Sequence, residues 1–400
     1  MKSTHIIFIL LSVLLFNGCR KDFRTVESTK VVFQLKFPET YNADTYPENI
    51  PLTIKNNITG EINTILSDQQ GRVELDLIPG TYSLTASKAY SAEEALPITG
   101  YDNETFVNAS LSPVVITEAK TVDVQLIGSK SGGLIIREFY YPGSKTPAGT
   151  NYLYDGFVEI YNNSNEAIRV DSLYMGNTKS ASSSTSTAYG FVTQDSVYLA
   201  HVFMIPYEGT PKFLQPKESL VIAIDGINHK TDLNGNINSP NLGQGIADYE
   251  IFFNLANPSK DTDAPDVPNM VNVFNNSTTL VDWLPGVFGS GLVIFKVDDI
   301  DELPARKEPP GTSSTQYKSI PVSVILDGVE TVANANMPAS TKRLPIVIDA
   351  GMTTVGATYN GKSVRRKIKS VINGETIFVD TNNSSSDFEI NNTPSPRQWN

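Results

Sequence analysis

Apolar and polar residues alternate in short runs along most of this 400-residue chain, and the period is that of β-strands. The first runs are Val31–Phe37, Ile50–Ile54, Ile62–Leu66 and Arg72–Leu77, the last with Val73, Leu75 and Leu77 on one face. Thr59-Gly60 and Asp68–Gly71 supply turns between them. In Ile78-Pro79-Gly80-Thr81-Tyr82-Ser83-Leu84 the Pro-Gly pair makes a turn, after which Tyr82 and Leu84 point to a core. Thr121–Leu126 closes this unit, and Gly128–Gly133 reads as a linker by composition. Beyond it lie strand-like runs at Leu134–Tyr141, Phe157–Asn163, Ala167–Tyr174, Phe213–Ala223, Gly291–Val297 and Leu344–Ile348. Helical period is scarce: Glu93–Leu96 and Asn269–Phe274 would each make a turn or two. Thr178–Ala188, almost all Ser, Thr and Ala, reads as an exposed hairpin tip. The pattern predicts an all-β protein.

The first 18 residues depart from this pattern. A basic start at Lys2, an apolar stretch from Ile6 to Phe16 and the small Gly18 form a secretory signal peptide. The apolar stretch is about half the ~20 residues that a membrane-spanning helix needs. Cys19, the single cysteine of the chain, follows directly. This arrangement resembles the lipobox of bacterial lipoproteins, in which that cysteine becomes the acylated first residue of the mature chain. The resemblance implies outer-membrane lipid as the anchor, with residues 19–30 as a tether. Whether the periplasmic or the cell-surface face carries it stays open.

Charge and composition narrow the functions further. Removing residues 1–18 takes away Lys2 and leaves 30 basic against 43 acidic residues, a net charge of −13. Such a chain is not a nucleic-acid binder by default, and an anionic lipid surface would repel it. His5 leaves with the leader, so only His201 and His229 remain, and a lipidated Cys19 leaves no thiol. Ser-His-Asp triads, cysteine nucleophiles and multi-histidine zinc sites therefore have almost nothing to draw on.

Two stretches resemble known β-sandwiches. Gly71-Arg72-Val73 leading into Leu77-Ile78-Pro79-Gly80-Thr81-Tyr82 is similar to the carboxypeptidase-regulatory, transthyretin-like module, over residues 31–127. Such modules usually act as spacers or adhesion units. The runs Leu134–Tyr141, Phe157–Asn163, Ala167–Tyr174 and Phe213–Ala223, with Asp380–Phe388 at the end, look like the Ig-like lamin-tail domain. That likeness covers about 128–225 and 361–400, and implies a larger sandwich over 128–400 with a long insertion at about 226–360. The second half also resembles an uncharacterised bacterial lipoprotein family, which implies no activity.

Candidate chemistry is sparse. Asp232, Asn234 and Asn236 place oxygens at alternate positions, as in the first half of a Ca²⁺ loop, although Ile237 stands where the EF-hand needs Gly. Asp225, Asp232, Asp261, Asp263 and Asp266 would supply hard oxygen ligands if folded together, and are otherwise solvated turn residues. The acids of Asp298–Glu302 are the carboxylate candidates for hydrolysis. Tyr140, Tyr141, Tyr152 and Tyr154 bracket one loop, and with Trp283 would form a stacking surface for a glycan or protein partner, or else fill cores. The basic run Lys362–Lys369 reads as a strand with a solvated face. The expected protein is a non-catalytic outer-membrane lipoprotein that binds or scaffolds within an envelope complex, with a partner such as a transport barrel. A glycan- or nutrient-binding surface protein is the alternative, and a carboxylate- or metal-dependent hydrolase the remaining one.

Overall fold

The alternation at the start of the chain folds as its period demands: Val31, Phe33 and Leu35 are buried in the strand Thr29–Lys36, and Lys30 and Lys36 face out. The computed structural model describes residues 27–38, 41–42, 44–100, 105–130, 133–180, 195–253, 261–277, 282–308, 314–372 and 374–399. It is 44% strand and 5% helix. Cys19, the leader, most of the tether and residues 181–188 of the Ser/Thr-rich stretch lie outside the described residues.

Thr29–Lys36 pairs antiparallel with Arg72–Leu77 and parallel with Lys120–Gln125. Opposite this three-stranded sheet stands an antiparallel five-stranded one, in the order Ile62–Leu66, Pro51–Asn56, Gly80–Tyr90, Thr105–Ile116, Ile127–Lys130. Both sheets turn side chains into one core that includes Phe33, Leu52, Val73, Tyr82, Leu84 and Val124. Tyr82 and Leu84 point inward as the Pro-Gly turn requires, and the Tyr82 hydroxyl donates back to the Ile78 carbonyl at 2.6 Å. The Asp68–Gly71 turn is held by Asp68 Oδ1, which accepts from the Gln70 and Arg72 amides, while Gly71 takes φ +73°. A helix of about two turns spans Ala92–Thr99, as the run at Glu93–Leu96 led one to expect; Ser91 and Glu94 form a capping box and Gly100 ends it at φ 77°.

The stretch 128–130 is not linker. It belongs to the last strand of the five-stranded sheet, paired with Thr105–Asn108. The strand Thr105–Ile116 had no clear signature because its face away from the core carries Phe106, Asn108 and Ser110, which are nevertheless buried. Asn108 Nδ2 reaches the Thr381 carbonyl at 2.9 Å, so this polar face meets the second half of the chain.

That second half is a larger sandwich. One sheet runs Tyr249–Glu250, Ser219–Ala223, Phe157–Asn162, Leu134–Tyr140, Ser363–Arg366, Phe388–Asn391. The facing sheet runs Ala305–Lys307, Gln316–Pro321, Ser196–Met204, Tyr174–Thr178, Gly291–Phe295, Ile325–Glu330, with Val271–Asn275 also paired to Ser196–Met204. Most of the facing sheet comes from residues 226–360, and Trp283, Leu292, Ile294 and Val329 share one core with Ile136, Val158, Ile160 and Ile222. The run at 269–274, expected as a helical turn, is strand because Val271–Asn275 completes this sheet. Arg366, read as part of a solvated basic face, is buried between the sheets, where its Nη2 grips both oxygens of Asp327 at 2.8 Å.

Candidate functional site

The aromatic residues proposed for a stacking surface do not form one. Tyr140, Tyr141, Tyr152 and Trp283 are buried, Trp283 to 1% exposure, and Tyr154 is half-buried. Adjacent residues of a half-buried strand point to opposite faces, so one of Tyr140 and Tyr141 would be exposed; here both faces are covered. The Tyr140 hydroxyl donates to Asp155 Oδ2 at 2.8 Å, an oxygen that also receives Ser144 and Ser239. Burial raises the Asp155 pKa, and these hydroxyls oppose the shift. Tyr152 bonds His229 Nδ1 at 2.8 Å, and Trp283 Nε1 donates to Asn177 Oδ1 at 2.9 Å.

The calcium-loop residues are spent on local turns. Asp232 Oδ1 accepts from the Asn234 amide at 2.8 Å, and Asn236 Oδ1 accepts from the Asn238 amide at 3.1 Å. Asn236 is buried, and its amide nitrogen donates to Ser144 Oγ and the Lys145 carbonyl. Asp299 likewise caps its own turn by accepting from the Asp301 amide, in an exposed loop. Asp263 accepts from Asn269 Nδ2 at 3.1 Å.

A different set of acids does converge. Asp225, Asp261 and Asp282 are all buried, and one ligand oxygen from each lies within 4.8 Å of the others. Asp225 lies two residues beyond the end of Ser219–Ala223, Asp282 directly precedes the core residue Trp283, and Asp261 Oδ2 accepts from the Phe253 amide at 2.7 Å. Asp282 Oδ1 accepts from the Trp283 amide. Among the described residues, Asp225 Oδ1 and Asp282 Oδ2 have no hydrogen-bond partner.

Glu250 braces the loops that carry two of these acids. Its Oε2 accepts from the Gly226 amide and its Oε1 from the Ala264 amide, each at 2.6 Å. Gly226 is required by this approach: a Cβ there would sit 2.9 Å from Val267 Cβ and 3.0 Å from Glu250 Oε2. On the other side, His229 Nε2 lies 3.2 Å from the Asp225 carbonyl, and burial pushes its imidazole down to about 4. Burial raises the pKa of Asp225 and of Asp282, and their negative neighbours raise both further. Burial also pushes Glu250 up to about 7.

Two other buried acidic clusters in this sandwich are arranged differently. Glu138 and Glu159 share Arg137, whose guanidinium also lies 5.3 Å from the centroid of Trp399. Asp327, Asp380 and Asp387 share Arg366. Among the described residues, the main charges acting on Asp225 and Asp282 are all acidic.

Residues 215–395, which contain all three converging aspartates, match the family described as protein of unknown function DUF4876. The likeness is to an uncharacterised family. A crystal structure of a DUF4876 family protein from Bacteroides thetaiotaomicron VPI-5482 is 28% identical, with a TM-score of 0.60 over 92% of this chain and 97% of that one. A DUF3823 family protein from Parabacteroides merdae ATCC 43184 is 10% identical over 49% of this chain and 79% of that one; its TM-score of 0.17 carries no argument. No curated protein matches the chain. Sequence reasoning named Asp225 and Asp261 as oxygen donors but grouped them with Asp232, Asp263 and Asp266. It missed Asp282 as a donor because the three acids sit on three separate loops, where spacing carries no signal.

Proposed function

We propose that this chain is a lipid-anchored, non-catalytic binding module of the cell envelope that docks a protein partner. The observation that carries the reading is the hairpin formed by Ile368–Ile372 and Glu375–Phe378. Its root is pinned: Phe378 is buried 4.9 Å from Tyr161, centroid to centroid, and the Tyr161 hydroxyl donates to the Thr376 carbonyl at 2.6 Å. Its outer strand nevertheless leaves Ile368, Val371 and Ile372 between 46% and 60% exposed. Apolar side chains held out on a rigid support suit a protein interface. The two histidines beyond the leader support the non-catalytic part, since both are buried in hydrogen bonds, His201 to Asn177 and His229 to Tyr152. The anchor is Cys19, in the outer membrane.

Crosslinking in intact cells, followed by affinity purification of the tagged chain, tests this reading. The expected result is one envelope protein in stoichiometric amounts, lost both in Cys19→Ala and in the double variant Val371→Asp, Ile372→Asp. Recovery of this chain alone, or a partner that survives the hairpin variant, would overturn it. The glycan reading loses its support, because the rings it needs are buried or half-buried.

A further inference from the structure

We propose that Asp225, Asp261 and Asp282 bind one divalent cation, and that the donor chemistry selects calcium. Three carboxylates buried this close together must be neutralised, because mutual repulsion and lost hydration both act against their charged forms. Elsewhere in the same sandwich buried carboxylates are neutralised by Arg137 and Arg366. Here, among the described residues, the principal charges around Asp225 and Asp282 are other carboxylates, and no basic side chain figures among them. A cation supplies what the arginines supply in the other two clusters.

The geometry suits an ion rather than a void. Asp225 is 3% exposed and Asp282 fully buried, and each carries an oxygen without a hydrogen-bond partner among the described residues. The other Asp282 oxygen is fixed by the Trp283 amide, and Asp225 is bonded by the Thr262 amide, so neither carboxylate can swing away to water. Oxygens that share one calcium at about 2.4 Å lie no more than about 4.8 Å apart. The converging oxygens lie within 4.8 Å of one another, and three buried carboxylates suit calcium, since magnesium dehydrates reluctantly and keeps several waters. An all-oxygen set also disfavours zinc and copper, which draw on nitrogen and sulfur. Glu250 is a positioning residue: both of its oxygens are taken by backbone amides, so it holds the Asp225 and Asp261 loops in register and does not itself ligate. The ion would tie three loops at one place on the larger sandwich.

The test uses the purified full chain, stripped with EDTA and dialysed, with CaCl₂ and MgCl₂ as probes. Isothermal titration is expected to give one calcium per chain. One millimolar CaCl₂ is expected to raise the melting temperature by roughly 5 °C, by mass action on the folded state alone. Asp225→Asn and Asp282→Asn keep the side-chain shape and remove a charge. Each is expected to weaken calcium binding at least tenfold, while the EDTA-stripped variants melt no lower than the EDTA-stripped parent. That second readout separates loss of a ligand from damage to the fold. Asp232→Asn, outside the cluster, is expected to keep the parent affinity. No calcium-dependent shift, unchanged affinity in Asp282→Asn, or a response to magnesium and not calcium would each overturn the assignment.

Discussion

Asn177 shows how much a single buried amide can organise. Its Nδ2 donates to the Thr178 carbonyl, which fixes Oδ1 as an acceptor, and Oδ1 receives both Trp283 Nε1 and His201 Nδ1. His201 is therefore the neutral Nδ1–H tautomer, and burial pushes its pKa down to about 4. Unfolded, the same imidazole titrates near 6.5. Below about 6.5 the unfolded chain takes up a proton that the folded chain refuses until about 4. This contribution is fully present above pH 6.5 and is lost as the pH falls. Urea unfolding at pH 7 and pH 4.5 should show a smaller drop for His201→Gln than for the parent, by about 2–3 kcal/mol. An equal drop in both would contradict the neutral tautomer. Nothing in the sequence around His201 marks it as buried beyond its place in an apolar run, and its partner lies 24 residues away.

At the scale of elements, half-exposed strands were legible and doubly covered ones were only partly so. Thr29–Lys36 and Arg72–Leu77 alternate because water lies on one side, and their faces followed from the pattern. Leu134–Tyr140 is buried at every position, so its strand character was legible from apolar content but its faces were not. The same covering hid Arg366 within a run that reads as basic surface. Arg366 joins the two sheets: it reaches Asp327 on Ile325–Glu330, Asp380 and Asp387, and its Nε donates to the Ile136 carbonyl. Asp327 in turn accepts from the Ile136 amide at 2.6 Å. Removing the cation alone strands three buried carboxylates. Arg366→Met should cost about 3–5 kcal/mol in chemical denaturation. A loss below about 1 kcal/mol would show that this cluster is held by protons rather than by the guanidinium.

At the scale of the whole molecule, the two largest hydrophobic cores lie in different halves of the chain, one within residues 31–126 and one in the larger sandwich. The polar face of Thr105–Ile116 meets the larger sandwich through Asn108 and Thr381. Two cores joined by a polar contact should unfold in two transitions. The interface stabilises whichever core melts first, and by the time the second melts that support has gone. Asn108→Ala should therefore lower the first transition by a few degrees, from about 1 kcal/mol of lost hydrogen bonding, and leave the second unchanged. Differential scanning calorimetry reads this directly, and a single transition that moves as one would refute it.

The sequence by itself determined the all-β class, most strand positions in both halves, the Pro-Gly turn that turns Tyr82 and Leu84 inward, and the small place left for imidazole and thiol chemistry. These follow from local period and composition, which each segment carries within itself. Only the tertiary structure decided that residues 226–360 build a sheet of the larger sandwich, that the tyrosines and Trp283 are core or packed against it, and that Asp225, Asp261 and Asp282 meet. Burial on a second face and the meeting of separate loops depend on which strands become neighbours. Pairing across tens to hundreds of residues is set by the packing of whole sheets, and no window of the chain contains it.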